Sequence, residues 1–197
     1  MKGALGLERN DYKKAIFTII ILAINSGLFL FLTIFFGQQG EQLLREYGGL
    51  YEIAIINRGE YYRFVSSMFV HFSIEHLASN MLLLAILGYN LEVEKGHIKF
   101  LIIYFFSGIG GSLVSFWWHF LGEANVISGG ASGAVFGLMG AILGTYMKYG
   151  RPIARLSKER IIVMIGVSLF IGFTMTGIDN AGHIGGLIFG LLISLLL

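Results

Sequence analysis

The sequence predicts an all-α membrane protein: a six-transmembrane-helix bundle with a large interfacial loop between helices 1 and 2, in one domain over residues 1–197. Three observations predict it. Hydrophobic residues make up 55% of the chain and charged residues 13%, against about a quarter charged in a soluble domain. Uncharged runs of about 18 residues, enough to cross a hydrocarbon core of about 30 Å, recur along the chain. Lys and Arg gather on alternate connections between those runs, as they do when one side faces the cytoplasm.

The first run, 15–36, follows Lys13 and Lys14. It is too long for the apolar core of a signal peptide, and no Ala-x-Ala-like cleavage site follows, so it reads as helix 1. Residues 37–66 mix Glu41, Arg45, Glu46, Glu52, Arg58 and Glu60 with Leu, Ile and Tyr. That mixture predicts an interfacial loop with short helical pieces, lying on or partly in the membrane. Helix 2 is expected over 68–91, because the short uncharged run 77–91 extends back through His76 into the apolar stretch 64–74. Helices 3 to 6 are expected over 100–122, 131–147, 161–178 and 182–197. The last ends at Leu197 without a flanking charge, as in a truncated chain.

Composition excludes several classes. The chain has no cysteine, which removes disulfides, thiolate metal sites and a cysteine nucleophile together. A net charge of +2 is too small to suggest nucleic-acid binding. The 28 glycines are many for a chain without repeats, and glycine lets membrane helices approach closely.

Orientation follows from the basic residues. Lys2, Arg9, Lys13, Lys14, Lys95, Lys99, Lys148, Arg151, Arg155, Lys158 and Arg160 fall on one side, and Arg45, Arg58 and Arg63 on the other. The positive-inside rule makes both termini cytoplasmic. Helices 2, 4 and 6 then run from outside to inside. Ser132 stands 16 residues before Lys148, His76 stands 16 before Glu92, and His183 stands 14 before Leu197. Sixteen residues span about 24 Å. All three side chains therefore fall at one depth, near the outer leaflet.

Polar groups at that depth are costly and are functional by default. A serine becomes nucleophilic when a base takes its proton, and His183 and His76 are the histidines at the right level. Asp179, four residues before His183, falls in the outer loop and is not expected to be a third member. His76 and Asn80 are spaced i, i+4 and share a helix face, from which both can donate to an oxyanion. The Ser132 backbone N–H is a further donor. Gly129, Gly130 and Gly133 suit a tight turn into a helix start, where N–H groups favour negative charge.

Each feature has a plainer reading. A membrane serine commonly bonds back to its own helix, a histidine packs between helices, and an asparagine joins helices. The conjunction on co-directional helices at one depth favours chemistry. A metalloprotease is the nearest rival, but His71-Phe-Ser-Ile-Glu75-His76 matches neither zinc motif and puts its histidines five apart. No pair of membrane aspartates exists for an aspartyl mechanism. A small transporter would need inverted repeats with paired broken helices, which the sequence lacks.

The segments His71-Phe-Ser-Ile-Glu-His76-Leu-Ala-Ser-Asn80, Gly130-Ala-Ser132-Gly133 and Ala181-Gly-His183-Ile-Gly-Gly186 resemble those of the rhomboid family of intramembrane serine proteases. Glu60-Tyr-Tyr-Arg63-Phe is similar to the family's loop motif, and the likeness runs from about Gly59 to Leu197. The resemblance implies Ser132 as nucleophile, His183 as general base, and an oxyanion hole of His76, Asn80 and the Ser132 N–H with Gly130 nearby. It implies that Arg63 and Glu92 pair to fasten the first loop and that His71 is structural. Gly186 and Gly190 resemble the small-residue face packing helix 6 on helix 4, with Gly133 and Gly137 as counterpart; homodimer packing is the competing reading. Two positions depart from the family pattern: Phe136 stands where a tyrosine is common, and Tyr62 where a tryptophan is common. Ring stacking survives the first change, and neither removes a catalytic atom.

The resemblance implies hydrolysis of peptide bonds in or near transmembrane segments of other membrane proteins, within lipid, at a cavity opening to the outer face of the cell membrane. Lateral substrate entry past helix 5 is implied, and no cofactor or metal. The alternative is a catalytically silent membrane protein that binds transmembrane clients.

Overall fold

The computed structural model describes residues 15–122, 126–154 and 156–197. Lys2, Arg9, Lys13, Lys14 and Arg155, used above for orientation, lie outside the described residues. The chain is helical nearly throughout. Helix α1 spans Ile16–Phe36 and is followed by α2 (Gln38–Leu43), a π-helical turn at Leu44–Gly48, strand β1 (Leu50–Tyr51) and α3 (Glu52–Arg58). Then come α4 (Arg63–Ser66), a 3-10 turn at Ser67–Phe69, α5 (Ile74–Lys95) and α6 (His97–Leu121). Strand β2 (Ile127–Ser128), α7 (Ser132–Tyr149), α8 (Lys158–Thr174) and α9 (Asn180–Leu196) complete the fold.

The chain forms an all-α membrane bundle. Among the described residues α1 and α6 are long and apolar enough to cross a membrane, and Arg63–Phe69 with Ile74–Lys95, bent by 94°, make a third span if taken together. Large apolar side chains face outward, Ile20, Leu30, Ile34 and Phe35 on α1 and Val163, Phe170 and Phe173 on α8. Such surfaces suit lipid and not water.

Helix α5 begins at Ile74 and not at 68. The Ser73 hydroxyl accepts the His76 N–H at 3.1 Å and caps the first turn, so the apolar stretch before it bends away. At its other end Glu92 does what α1 lacks a residue to do. Ala15 offers α1 no side-chain cap. The buried Glu92 carboxylate accepts the N–H groups of Phe17 (3.0 Å) and Thr18 (2.7 Å) and the Thr18 hydroxyl (2.6 Å), with His97 Nδ1 2.6 Å away. It caps α1 from a different helix.

This corrects the expected Arg63–Glu92 pair. Glu92 lies 18 residues into α5, about 27 Å along its axis, whereas Arg63 precedes the bend at the opposite end. Arg63 is fully buried. It donates to Glu60 (2.6 Å), to the Gly49 carbonyl (2.6 Å) and to the Glu46 carbonyl. Arg63 therefore gathers the segment before it without Glu92.

The core lies around α7, with Leu138, Met139 and Ile142 against Leu84, Leu87, Phe100, Ile103 and Tyr104 of α5 and α6. Glycines let α9 meet α7 backbone to backbone. A Cβ at Gly186 would overlap the Gly133 carbonyl oxygen, and one at Gly190 the Gly137 carbonyl oxygen. A Cβ at Gly140 would overlap the Leu187 carbonyl. By contrast α8 buries only Ile161 and Gly172.

Candidate active site

Ser132 is the first residue of α7 and His183 lies in the first turn of α9. The glycine seam brings these two helix starts together, so His183 Nε2 stands 2.9 Å from Ser132 Oγ. The Phe136 ring, one turn after Ser132, stacks on the His183 imidazole with centroids 4.3 Å apart and planes 12° apart. His183 is 8% exposed. Its Nδ1 is buried and has no hydrogen-bond partner among the described residues. An Nε2 that accepts from the Ser132 hydroxyl requires the proton on Nδ1.

The turn before Ser132 is held on two sides. The Gly130 N–H donates to the Ser67 carbonyl at 2.8 Å, and the Ala131 N–H points at His71 Nε2 at 3.4 Å. Gly130 has φ +133°, a conformation that side chains rarely adopt. Space forbids a side chain as well: a Cβ there would lie 2.7 Å from His76 Nε2 and 3.6 Å from Ser132 Oγ. His76 is thus packed against the turn that presents the serine. His71 is buried, 5.0 Å from His76 between ring centroids. Asn80 is buried one turn further along α5, and its amide donates to the His76 carbonyl at 2.9 Å, leaving its second N–H unspent. The α7 N-terminus adds N–H groups that have no intrahelical partner.

The cavity beside the Ser132–His183 pair measures about 30 Å³ and is lined by Ser132, His183, Ser67, Ser112, Ser128 and Asp179, with His76 and Asn80 outside its lining. That is room for about one water molecule, not for a peptide. A larger apolar groove of about 480 Å³ lies between α1 and the interfacial segment, lined by Ile24, Leu28, Leu44 and Phe69. It shares no lining residue with the serine site.

Several site residues escape sequence reasoning. Strand β1 pairs with β2, Leu50 opposite Ser128, and so ties the interfacial segment to the turn before Ser132. Asp179 caps α9: its carboxylate accepts the Gly182 N–H at 2.9 Å and the Ser115 hydroxyl. An aspartate just before a helical run is a readable cap signal, but its contact with Ser115 depends on tertiary packing.

A serine and a histidine hydrogen-bonded across two glycine-packed helices, inside an all-α membrane bundle, define a class of membrane protein with a buried polar pair at its core. The Rhomboid domain family matches residues 58–197. The chain is 37% identical over 177 residues to Rhomboid protease GluP of Bacillus subtilis (strain 168), covering 90% of this chain and 34% of that protein. It is 31% identical over 202 residues to Rhomboid protease AarA of Providencia stuartii, covering 90% of this chain and 71% of that one. It is 36% identical over 158 residues to RHOMBOID-like protein 5 of Arabidopsis thaliana, covering 78% and 49%. The chain belongs to the rhomboid family. It spans about a third of the first of these relatives and half of the third.

Proposed function

We propose that this protein is an intramembrane serine endopeptidase that hydrolyses a peptide bond in or near transmembrane segments of membrane-protein substrates. The observation that carries the reading is the 2.9 Å approach of His183 Nε2 to Ser132 Oγ beneath the stacked Phe136 ring. Family membership supports it.

In this reading Ser132 Oγ attacks the scissile carbonyl while His183 Nε2 takes the hydroxyl proton. The oxyanion forms among His76, the free amide N–H of Asn80 and the α7 N–H of Ser132. His183 then gives its proton to the leaving amine. Water attacks the acyl-enzyme, His183 takes a proton from it, and the same proton returns to Ser132 Oγ as the acid product leaves. The dyad works without a third member, as the unpartnered Nδ1 supports.

A cavity of about 30 Å³ requires an element to move before a substrate strand enters, and α8, a 17-residue helix with two buried residues, is the long helix with the least to give up. The substrate helix must unwind to expose its peptide bond, which favours helix-breaking residues near the cleavage point. We assign six spans, a cytoplasmic N-terminus and a site opening to the outer face of the cell membrane, on the asymmetry of basic residues. The test is cleavage of a reporter transmembrane substrate in liposomes. Wild type cleaves; Ser132→Ala and His183→Ala each do not. Cleavage by Ser132→Ala at the wild-type rate overturns the mechanism, and a wild type silent on every helix-breaking substrate favours client binding.

A further inference from the structure

A helix start is an awkward place for a general base. The N-terminus of α9 carries partial positive charge, and that field opposes the imidazolium His183 becomes when it takes the serine proton. One carboxylate stands where it offsets this. Asp179 Oδ1 accepts the Gly182 N–H at 2.9 Å, its other oxygen accepts the Ser115 hydroxyl, and its backbone carbonyl accepts the His183 N–H at 3.1 Å. Asp179 lines the same small cavity as Ser132 and His183.

Behind it runs a second polar chain. Ser115 Oγ lies 3.4 Å from both His119 Nδ1 and Ser128 Oγ, and His119 Nδ1 lies 3.3 Å from a carboxylate oxygen of Glu52 on α3. Two acids thus flank one imidazole. Glu52 is buried, with its carboxylate facing His119. Burial pushes its carboxyl up, against the opposing pull of a backbone N–H and of His119. Asp179, by contrast, has two donors, the Gly182 N–H and the Ser115 hydroxyl.

We propose that Asp179 is a positioning residue for His183: fixed by Gly182 and Ser115, its carboxylate caps α9 and supplies the negative charge that favours the imidazolium while Ser132 attacks. The inference rests on the Ser132–His183 reading. The proton passes only from Ser132 Oγ to His183 Nε2; Nδ1 keeps its own, and Asp179 takes none.

The test is the rate at which a fluorophosphonate probe labels Ser132 in the full chain in detergent, from pH 5 to 9. It needs no substrate. Among the described residues the titratable side chains around Asp179 and His183 are Glu52 on α3, His119 on α6 and His76 on α5; they are constant across the variants. Asp179→Asn keeps the cap, since asparagine caps as well as aspartate, and so keeps the melting temperature. It slows labelling about tenfold at neutral pH, the size of one unit in base strength, and moves the acid limb of the profile to lower pH. Asp179→Glu, which restores the charge, returns the limb toward wild type. An Asp179→Asn protein labelled at the wild-type rate, with its acid limb unmoved, overturns the proposal and leaves Asp179 a cap alone. If that variant fails to fold, Ser115→Ala carries the test: slower labelling supports the proposal and an unchanged rate overturns it. Wild type labelled no faster than Ser132→Ala sinks the dyad reading, and this inference with it.

Discussion

Gly186→Ala adds one methyl group at the seam between α7 and α9. Its Cβ would overlap the Gly133 carbonyl oxygen and lie 2.7 Å from the carbonyl carbon and 3.1 Å from the Gly133 Cα. All three are backbone atoms, so no side chain can turn aside. Ordinary carbon contacts lie at about 3.5–4.0 Å, so the two helices must separate by about 1 Å. Gly133 follows Ser132, and His183 stands three residues before Gly186, so the separation falls directly on the reacting pair. The 2.9 Å contact then opens toward 4 Å, beyond hydrogen-bond reach. A misplacement of about 1 Å costs on the order of a hundredfold in rate, and overpacking costs about 1–3 kcal/mol in stability. Gly166→Ala on α8 is the control, because nothing lies within 4 Å of its added Cβ; it should gain about 0.5–1 kcal/mol. Cleavage in liposomes and a thermal melt, run on both variants, decide the matter. A Gly186→Ala protein as active and as stable as wild type would refute backbone contact as the source of the dyad's geometry.

Glu92→Ala should cost about 3 kcal/mol, since it strips three donors at the start of α1 of a buried charged acceptor; denaturant unfolding in detergent measures it. Arg63→Lys should lose about 2 kcal/mol, because a single ammonium nitrogen cannot span the three acceptors that three guanidinium nitrogens reach, Glu60 and two carbonyls. Phe136→Tyr should keep cleavage within about twofold and Phe136→Ala should lower kcat on the order of tenfold, as ring stacking on His183 is kept or lost. Glu52 gives a pH signature. Burial raises its carboxyl above 4.5 in the fold, so its contribution favours the fold below that value and is lost as pH climbs through the raised one. Glu52→Gln should therefore remove part of the fall in melting temperature as pH climbs above 4.5, and an unchanged curve would count against a buried carboxyl.

The serine and histidine were legible because each is a polar group in a long apolar run, and charge asymmetry alone set them at one depth. The α7–α9 seam was legible through the i, i+4 spacing of Gly186 and Gly190. The partner of Glu92 was not, because its acceptor atoms meet donors 74 and 75 residues away, and no local pattern records that a carboxylate caps another helix. The start of α5 was hidden by apolar residues continuing through a 94° bend; Ser73, three residues before His76, was the signal that could have found it. Strands of two residues are too short for any period to register. Asp179 was discounted for lying outside a span, although an N-cap position places it beside the base.

The glycine seam also divides the molecule mechanically. Because α7 and α9 touch through main-chain atoms at Gly133, Gly137 and Gly140, no side-chain layer separates them at those three positions. The apolar outer faces of α1 and α8 are therefore where a change in bilayer thickness would first bear, with the α7–α9 pair as the stiffer frame behind them.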